Sequence, residues 1–263
     1  MAVTRENFTG WIEDSMVSPM VVAVRAENAL NEIGNKLEHF ESETLKTLIE
    51  CAKQEQEVKD ELLLNVITKW QETHPKGRII IFCSVKSVGD HVDEYLKGKL
   101  DMKIERHQVG VAPLFCSDED VKIFVCDQAG EDGLNLNGGE KLVIHYSLPL
   151  SFSRIEQRLG RVNRYSAHIQ AKPIQSVLLL PETHSYSYSW QSILVGAVGI
   201  FKNTVASLQY VLEKYIDASW RETIDLGLKS LEKLEEQLIG DEGVLSVERR
   251  RVKAQEDLNN MDN

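Results

Sequence analysis

The hydrophobic positions of this chain form short continuous runs in its middle part and helix-spaced stripes on either side. The middle runs are rich in β-branched residues and alternate with polar stretches. Runs of this kind are typical of strands buried on both faces of a parallel sheet, so we predict an α/β domain. The predicted strands are Arg78–Ser84, Lys103–His107, Ile123–Cys126, Lys141–Tyr146 and Ser176–Leu180.

The residues before the first predicted strand have the periodicity of α-helices. Pro19–Ile33 begins with a proline, which is favoured in the first turn of a helix. Leu37–Gln56 and Val58–His74 are predicted as two further helices, which stop before Pro75. The second of these places three apolar residues on one face: Leu62, Val66 and Trp70.

The residues after Pro181 are again predicted to be helical. A three- and four-residue spacing relates Leu228, Leu231, Leu234 and Leu238, which indicates a helical hairpin or bundle. A set of aromatic residues at the start of this part could stack on nucleic-acid bases or pack in a core: His184, Tyr186, Tyr188 and Trp190. We assign residues 1–75 to a helical N-terminal segment, 76–181 to the α/β domain and 182–263 to a helical C-terminal extension.

The most informative polar pattern lies in Arg154–Ala167, which reads as an amphipathic helix. Its apolar face carries Ile155, Leu159 and Val162. Its opposite face carries Gln157, Arg161 and Arg164, flanked by Arg154 and Arg158 and by Gly160, where a backbone or a ligand could come close. Repeated guanidinium groups are suited to binding phosphate, because each offers a planar fork of donors and a permanent charge. The alternative is an ordinary basic helix surface.

A loop rich in glycine, aspartate and asparagine precedes this helix. It runs from Asp127 to Gly139 and leaves the carboxyl end of the predicted strand Ile123–Cys126. In an open α/β sheet, ligands bind at loops that leave the carboxyl ends of strands. The loop and the arginine helix are therefore candidates for a single ligand-binding edge.

These segments together resemble a known family. An apolar strand ending in Phe-Cys-Ser, the sequence DQAGEDGLNL and the sequence QRLGRVNR follow the order of motifs IV, V and VI of superfamily-two helicases. They most resemble the Swi/Snf-type branch that includes bacterial HepA (RapA). The shortened segment between Val109 and Asp120 resembles helicase-like proteins of bacterial DNA-modification and phage-defence clusters. The resemblance covers Arg78 to about Ala167 and implies a RecA-like second lobe.

The resemblance also implies roles for individual residues. Arg161 and Arg164 would be arginine fingers that reach the γ-phosphate of ATP, and such donors stabilise the charge of a phosphoryl-transfer transition state. Gln157 and Gly160 would lie at the nucleotide, and Asp132 and Gly133 would couple it to the DNA track. The residues expected to contact nucleic acid are Ser84, Asn135, Arg154 and Arg158.

The chain departs from the family in three respects, one of which is that Tyr165, Ser166 and Ala167 follow motif VI in place of the usual Ile-Gly-Gln. Asp127 stands where motif V usually opens with Ser or Thr, and this change argues against direct phosphate contact at that position. No phosphate-binding loop of the form G-x-x-x-x-G-K-[ST] and no Mg²⁺-binding acidic pair of a first lobe is recognisable. We therefore expect ATP and Mg²⁺ to require a first RecA-like lobe in cis or in trans, and we expect the chain alone to be inactive.

Charge and cysteine content refine this picture. The net charge is −11, and it is uneven: residues 1–75 carry −7, residues 76–180 carry +1 and residues 181–263 carry −5. An acidic protein of this kind is no general nucleic-acid condenser, so DNA contact must be local. The four cysteines include no C-x-x-C pair, and no run is long and apolar enough for a bilayer. We expect a cytoplasmic protein with reduced cysteines and no membrane partner.

Two functions from different classes remain open. The first is the C-terminal lobe of an ATP-dependent helicase or translocase that acts on double-stranded DNA. The second is a catalytically incomplete helicase-like module that serves as a scaffold for nucleic acid or protein, with its terminal helices as a protein-binding surface. The retained Gln157, Arg161 and Arg164 favour the first function. The missing first lobe favours the second.

Overall fold

A computed structural model describes most of the chain. The described residues are 5–33, 37–131, 134, 136, 139–162, 175–180, 184–201, 209–240, 242–248 and 250–251. The described α-helices are α1 (Arg5–Val17), α2 (Pro19–Ile33), α3 (His39–Thr73), α4 (Lys86–Lys99), α5 (Gln128–Glu131), α6 (Phe152–Val162), α7 (Tyr186–Gln191), α8 (Gln209–Leu226) and α9 (Lys229–Leu238). The strands are β1 (Arg78–Phe82), β2 (Lys103–Arg106), β3 (Val121–Cys126), β4 (Lys141–His145) and β5 (Gln175–Leu178).

The five strands form one sheet in the order β2-β3-β1-β4-β5, and every pair is parallel. This confirms the predicted parallel sheet with flanking helices, with each strand within two residues of its predicted ends. The connection from β2 to β3 contains only a short 3₁₀ turn, Leu114–Cys116, in the segment that the sequence showed to be shortened.

Helices and loops cover both faces of the sheet, which explains why its strands are apolar throughout. Alternate residues of β1 point to opposite faces, so Ile79 and Ile81 lie in one core and Ile80 and Phe82 in the other. The first core is completed by residues of α3 and α4: Leu63, Ile67, Trp70, Val88, Val92 and Leu96. The second core is completed by Phe115, Leu136 and Val162.

Helix α3 differs from its prediction in two ways. It is one helix of 35 residues rather than two, with no break near Gln56. Its buried apolar residues are Ala52, Leu63, Ile67 and Trp70, whereas Leu62 is exposed. The cause is the mixed sequence around Leu62–Leu64, where several consecutive leucines allow more than one apolar face. After the helix ends, the backbone at Gly77 packs closely against the Trp70 ring. A Cβ on Gly77 would lie 2.2 Å from that ring.

The chain divides into two compact units. One contains 1–2, 13–150 and 157–180 with the sheet, and the other contains 3–12, 151–156 and 181–263. Helices α2 and α3 therefore lie entirely within the unit that contains the sheet.

The second unit is helical around a tryptophan-rich core. Trp190 is fully buried and packs edge-on against Phe152, with ring centroids 5.7 Å apart. Trp190 also contacts Trp220, and their ring centroids are 5.8 Å apart. Leu231, Leu234 and Leu238 are buried along α9, which confirms their predicted apolar face. Because Trp190 is buried, its ring packs in the core and is not exposed to stack on bases.

Candidate functional site

The candidate site lies where the carboxyl ends of β1, β3 and β4 meet. The residues that follow these strands include Ser84, Asp127 and Ser147, and helices α5 and α6 add Glu131 and the arginines of the amphipathic helix. Because all these strands are parallel, their carboxyl ends lie at one edge of the sheet, which is where α/β proteins bind ligands.

Ser84 and Ser147 join the ends of β1 and β4. The Ser84 backbone N–H donates to the Ser147 Oγ at 2.8 Å, and the Ser147 hydroxyl donates to the Ser84 Oγ at 2.8 Å. Both residues are buried. The prediction that Ser84 contacts nucleic acid directly is therefore corrected, because its hydroxyl is enclosed and bonded to its neighbour. Ser84 fixes the spacing of the two strand ends.

Arg158 is completely buried, and its prediction as a nucleic-acid contact is wrong. Its Nε donates to Glu131 Oε1 at 2.8 Å, its Nη2 lies 2.7 Å from the same oxygen, and its Nη1 donates to the Ser147 carbonyl at 2.7 Å. Its guanidinium carbon also lies 5.3 Å from the Phe82 ring centroid. Arg158 follows the buried Ile155 by three residues and precedes the buried Val162 by four, so it shares their helix face.

Arg161 lies one turn from Gln157 on α6 and is only partly buried. Its Nε donates to the Glu131 carbonyl at 2.9 Å, and its own carbonyl accepts from the Leu136 N–H at 3.1 Å. No acceptor for its two terminal amino groups is found within the described part of the chain. Within the described residues, Arg161 is thus held at its Nε, and its two terminal amino groups have no acceptor there.

Some of the other predicted site residues lie in the described part of the chain, and the rest lie outside it. Gln157 and Gly160 are exposed, and a Cβ at Gly160 would meet nothing within 4 Å. Arg154 is partly exposed near the start of α6. The remaining predicted residues lie outside the described part of the chain: Asp132, Gly133, Asn135 and Arg164.

Glu131 is the site residue that the sequence analysis missed as a structural centre. Its side chain is buried and binds Arg158, and its backbone carbonyl binds Arg161. A buried carboxylate normally requires a paired cation, and the basic helix that follows in the sequence supplies one. The signal in the sequence is that Glu131 is an acidic residue inside the glycine-rich loop, directly before Asp132 and Gly133.

Asp127 has a structural role that explains its departure from the family pattern. Its Oδ1 accepts from the Ala129 N–H at 3.0 Å, as a residue that caps the start of α5 would, and its Oδ2 pairs with Arg106 Nη2 at 2.5 Å. Arg106 also donates from Nε to Asp90 at 3.1 Å. Asp127 therefore anchors the loop to β2 and α4.

Gly130 is required by a close approach of α5 to the sheet. A Cβ at this position would lie 2.7 Å from the Cys126 Cβ and 3.0 Å from the His107 ring. Both distances are too short for a side chain, so the loop can follow the end of β3 this closely only with glycine. The short helix carries Glu131 into the interior by this route.

Two buried titratable groups at this edge, His145 and Cys83, are held in their neutral forms. Burial, and secondarily the charge of Arg158, lowers the pKa of His145 to about 3. Burial raises the pKa of the Cys83 thiol to about 12. His145 also stacks on Phe82, with centroids 5.9 Å apart. His145 and Cys83 therefore contribute to packing at this edge. The arginines are the groups there that are suited to bind a ligand.

Among the described residues, no group of three or more His, Cys, Asp or Glu side chains is placed to hold a metal ion. None of the described helices is both long enough and apolar enough to cross a bilayer. No disulfide joins the cysteines of the described residues, and Cys83 and Cys126 are buried, as predicted.

Part of the chain is similar to a known protein family. Residues 58–166 match the family model of the helicase conserved C-terminal domain, which spans the second half of α3 through α6. No curated protein gives a significant match.

Two solved structures are similar in fold. The Hef helicase domain of Pyrococcus furiosus is 17% identical, with 72% of this chain and 41% of that chain covered and a TM-score of 0.48. The C-terminal part of the Fun30 ATPase domain is 16% identical, with 85% of this chain and 82% of that chain covered and a TM-score of 0.45. The chain thus spans about two fifths of the length of the Hef helicase domain.

Proposed function

We propose that this chain is the C-terminal lobe of an ATP-dependent translocase on double-stranded DNA, of the superfamily-two, Swi/Snf-type branch that includes HepA. A first RecA-like lobe, in cis or in trans, completes its ATP site. The observation that carries the proposal is the placement of Arg161 at the carboxyl edge of the sheet, with its Nε fixed by Glu131 and its terminal amino groups available. The match over residues 58–166 supports the same assignment.

The donors at this edge fit the phosphates of ATP. ATP supplies the γ-phosphoryl group that is transferred to water, with Mg²⁺ held by the first lobe. Arg161, together with Arg164, offers forked donors for the charge that develops on the phosphoryl oxygens. Gln157 orders the nucleotide, and the open space at Gly160 admits it closely. Asp132 and Gly133 link this site to the DNA track.

The buried ion pair beneath the site gives it rigidity. Arg158 holds the Glu131 side chain, and the Glu131 carbonyl holds Arg161. A catalytic arginine contributes most when its orientation is set before the reaction, because no reorganisation is then needed in the transition state. Arg158 and Ser84 are therefore positioning residues in this proposal. Asn135 and Arg154 are the residues that we propose to contact DNA directly.

The test uses an assembly in which a first lobe is supplied. Arg161→Ala should lower the DNA-stimulated kcat for ATP by about 10³- to 10⁵-fold, as is found for arginine fingers. Arg161→Lys should rescue poorly, because an ammonium group lacks the forked geometry. The matched control is Arg221→Ala, which removes an exposed arginine of α8 and should leave turnover unchanged. Unaltered turnover in Arg161→Ala would contradict the proposal.

The chain alone provides a second test. We expect it to hydrolyse ATP only at the background rate, because the groups that bind the β- and γ-phosphates and Mg²⁺ belong to the first lobe. Steady, DNA-stimulated turnover by the purified 263-residue chain would overturn this part of the proposal.

A further inference from the structure

A second basic site lies at the opposite edge of the sheet, where β1 and β4 begin. A cleft of about 680 Å³ opens there, lined on its basic side by Lys76, Arg78, Lys122 and Lys141. Strand β1 is five residues long, so the two edges are about 16 Å apart at ~3.3 Å per residue. This cleft is therefore separate from the proposed ATP site and does not depend on it.

The centre of the cleft holds two cations side by side. Arg78 and Lys141 are register partners on the neighbouring parallel strands β1 and β4. Like charges placed opposite each other on adjacent strands are destabilising. The Phe115 ring reduces this cost, since the Arg78 guanidinium carbon lies 3.8 Å and the Lys141 Nζ 5.9 Å from its centroid.

Arg78 is only partly satisfied by its neighbours. Its Nη2 donates to the Phe115 carbonyl at 2.5 Å, and no carboxylate pairs with it among the described residues. Its Nε is buried and has no hydrogen-bond partner in the same part of the chain. A buried donor without an acceptor is costly, and a bound anion would remove that cost.

The pKa values of Arg78 and Lys141 also favour a bound anion. Burial, and then the neighbouring Arg78, lowers the pKa of Lys141 to about 8. Burial likewise lowers the pKa of Arg78. Two desolvated cations favour their charged forms when an opposite charge comes within a few ångströms.

We infer that this cleft binds the phosphate group of a small molecule, with Arg78 and Lys141 as the central donors and Lys76 and Lys122 at its rim. The volume lies within the range of ordinary ligand sites, about 300–1,000 Å³. The opposite wall carries Glu119, Asp120 and Glu140. These carboxylates are suited to accept hydrogen bonds from the hydroxyl or amino groups of the remainder of the ligand.

The chain carries a built-in reporter for this site. Cys116 lines the cleft and is exposed, and Cys51 is an exposed thiol on α3 that does not line it. The experiment alkylates the full chain with neutral iodoacetamide, with and without inorganic pyrophosphate, and measures the rate at each cysteine by mass spectrometry. Pyrophosphate should slow the alkylation of Cys116 several-fold and leave Cys51 unchanged.

Variants test the donors. Arg78→Gln and Lys141→Gln should each abolish the protection of Cys116, whereas Lys99→Gln, an exposed lysine of α4, should preserve it. If Arg78→Gln fails to fold, Lys76→Gln combined with Lys122→Gln removes only the rim charges and should weaken protection. Arg161→Ala should retain protection, which separates this cleft from the proposed ATP site.

The outcomes are distinct. No protection of Cys116 at saturating pyrophosphate, equal slowing at both cysteines, or protection that survives in Arg78→Gln would each overturn the inference. Failure of the ATPase test with protection intact would overturn only the proposed function.

Discussion

Arg158 offers the sharpest test of the site, because the structure replaces its predicted role with a different one. We expect Arg158→Met to lower the free energy of unfolding by about 3–5 kcal/mol, the usual cost of breaking a buried ion pair from one side. The cost arises because the Glu131 carboxylate, at 1% exposure, loses its cation, and the Ser147 carbonyl loses a donor. Total stabilities of about 5–15 kcal/mol make a loss of this size easy to measure.

The assay is equilibrium unfolding in urea, followed by far-UV circular dichroism. The control is Arg154→Met on the same helix, which is partly exposed and should cost at most about 0.5 kcal/mol. The double variant Arg158→Met with Glu131→Leu should be more stable than Arg158→Met alone, because no unpaired charge remains buried. A cost below about 1 kcal/mol for Arg158→Met, or additive costs in the double variant, would refute the reasoning.

Two further predictions concern stability. Gly130→Ala should cost about 1–3 kcal/mol in urea unfolding, because its Cβ would lie 2.7 Å from that of Cys126, whereas Gly160→Ala has open space and should stabilise by about 0.5–1 kcal/mol; equal effects would contradict the contact. The hydrogen bond from Asp60 raises the pKa of His91 above its ordinary value of 6.5, so its stabilisation is complete below that pH and is lost as the pH rises through the raised pKa. Between about pH 6 and about pH 9 the Tm of His91→Gln should therefore fall less than that of the unaltered chain, and parallel Tm profiles would be evidence against this linkage.

The sheet could be predicted from the sequence because its signal is local. Strands such as β1 and β4 are buried on both faces, so each is a continuous apolar run that needs no knowledge of its neighbours. Helix α6 contains residues 154–162 of the predicted helix Arg154–Ala167, and the rest of that prediction lies outside the described residues.

The burial of individual side chains could not be predicted in the same way. Arg158 was assigned to the polar face from its charge alone, and its buried partner Glu131 lies 27 residues earlier. Leu159 was assigned to the core face but is only partly buried, whereas Ile155 is fully buried. Residue type sets the cost of burial, but only the tertiary partner decides whether that cost is met.

The side chain of Gln56 has a consequence for how the protein opens. Its Oε1 accepts from the Ser18 hydroxyl at 2.6 Å and from the Met20 N–H at 3.2 Å, and its Nε2 donates to the Tyr146 hydroxyl at 2.6 Å. One buried amide thus connects the start of α2, the middle of α3 and the end of β4.

Detaching α2 from the sheet unit would leave several of these polar groups unpaired in the interior at once. Helices α2 and α3 and the sheet are therefore one cooperative unit. Amide protons of α2 and α3 should exchange with solvent deuterium at rates governed by the same opening event as those of β4, and not by local fraying.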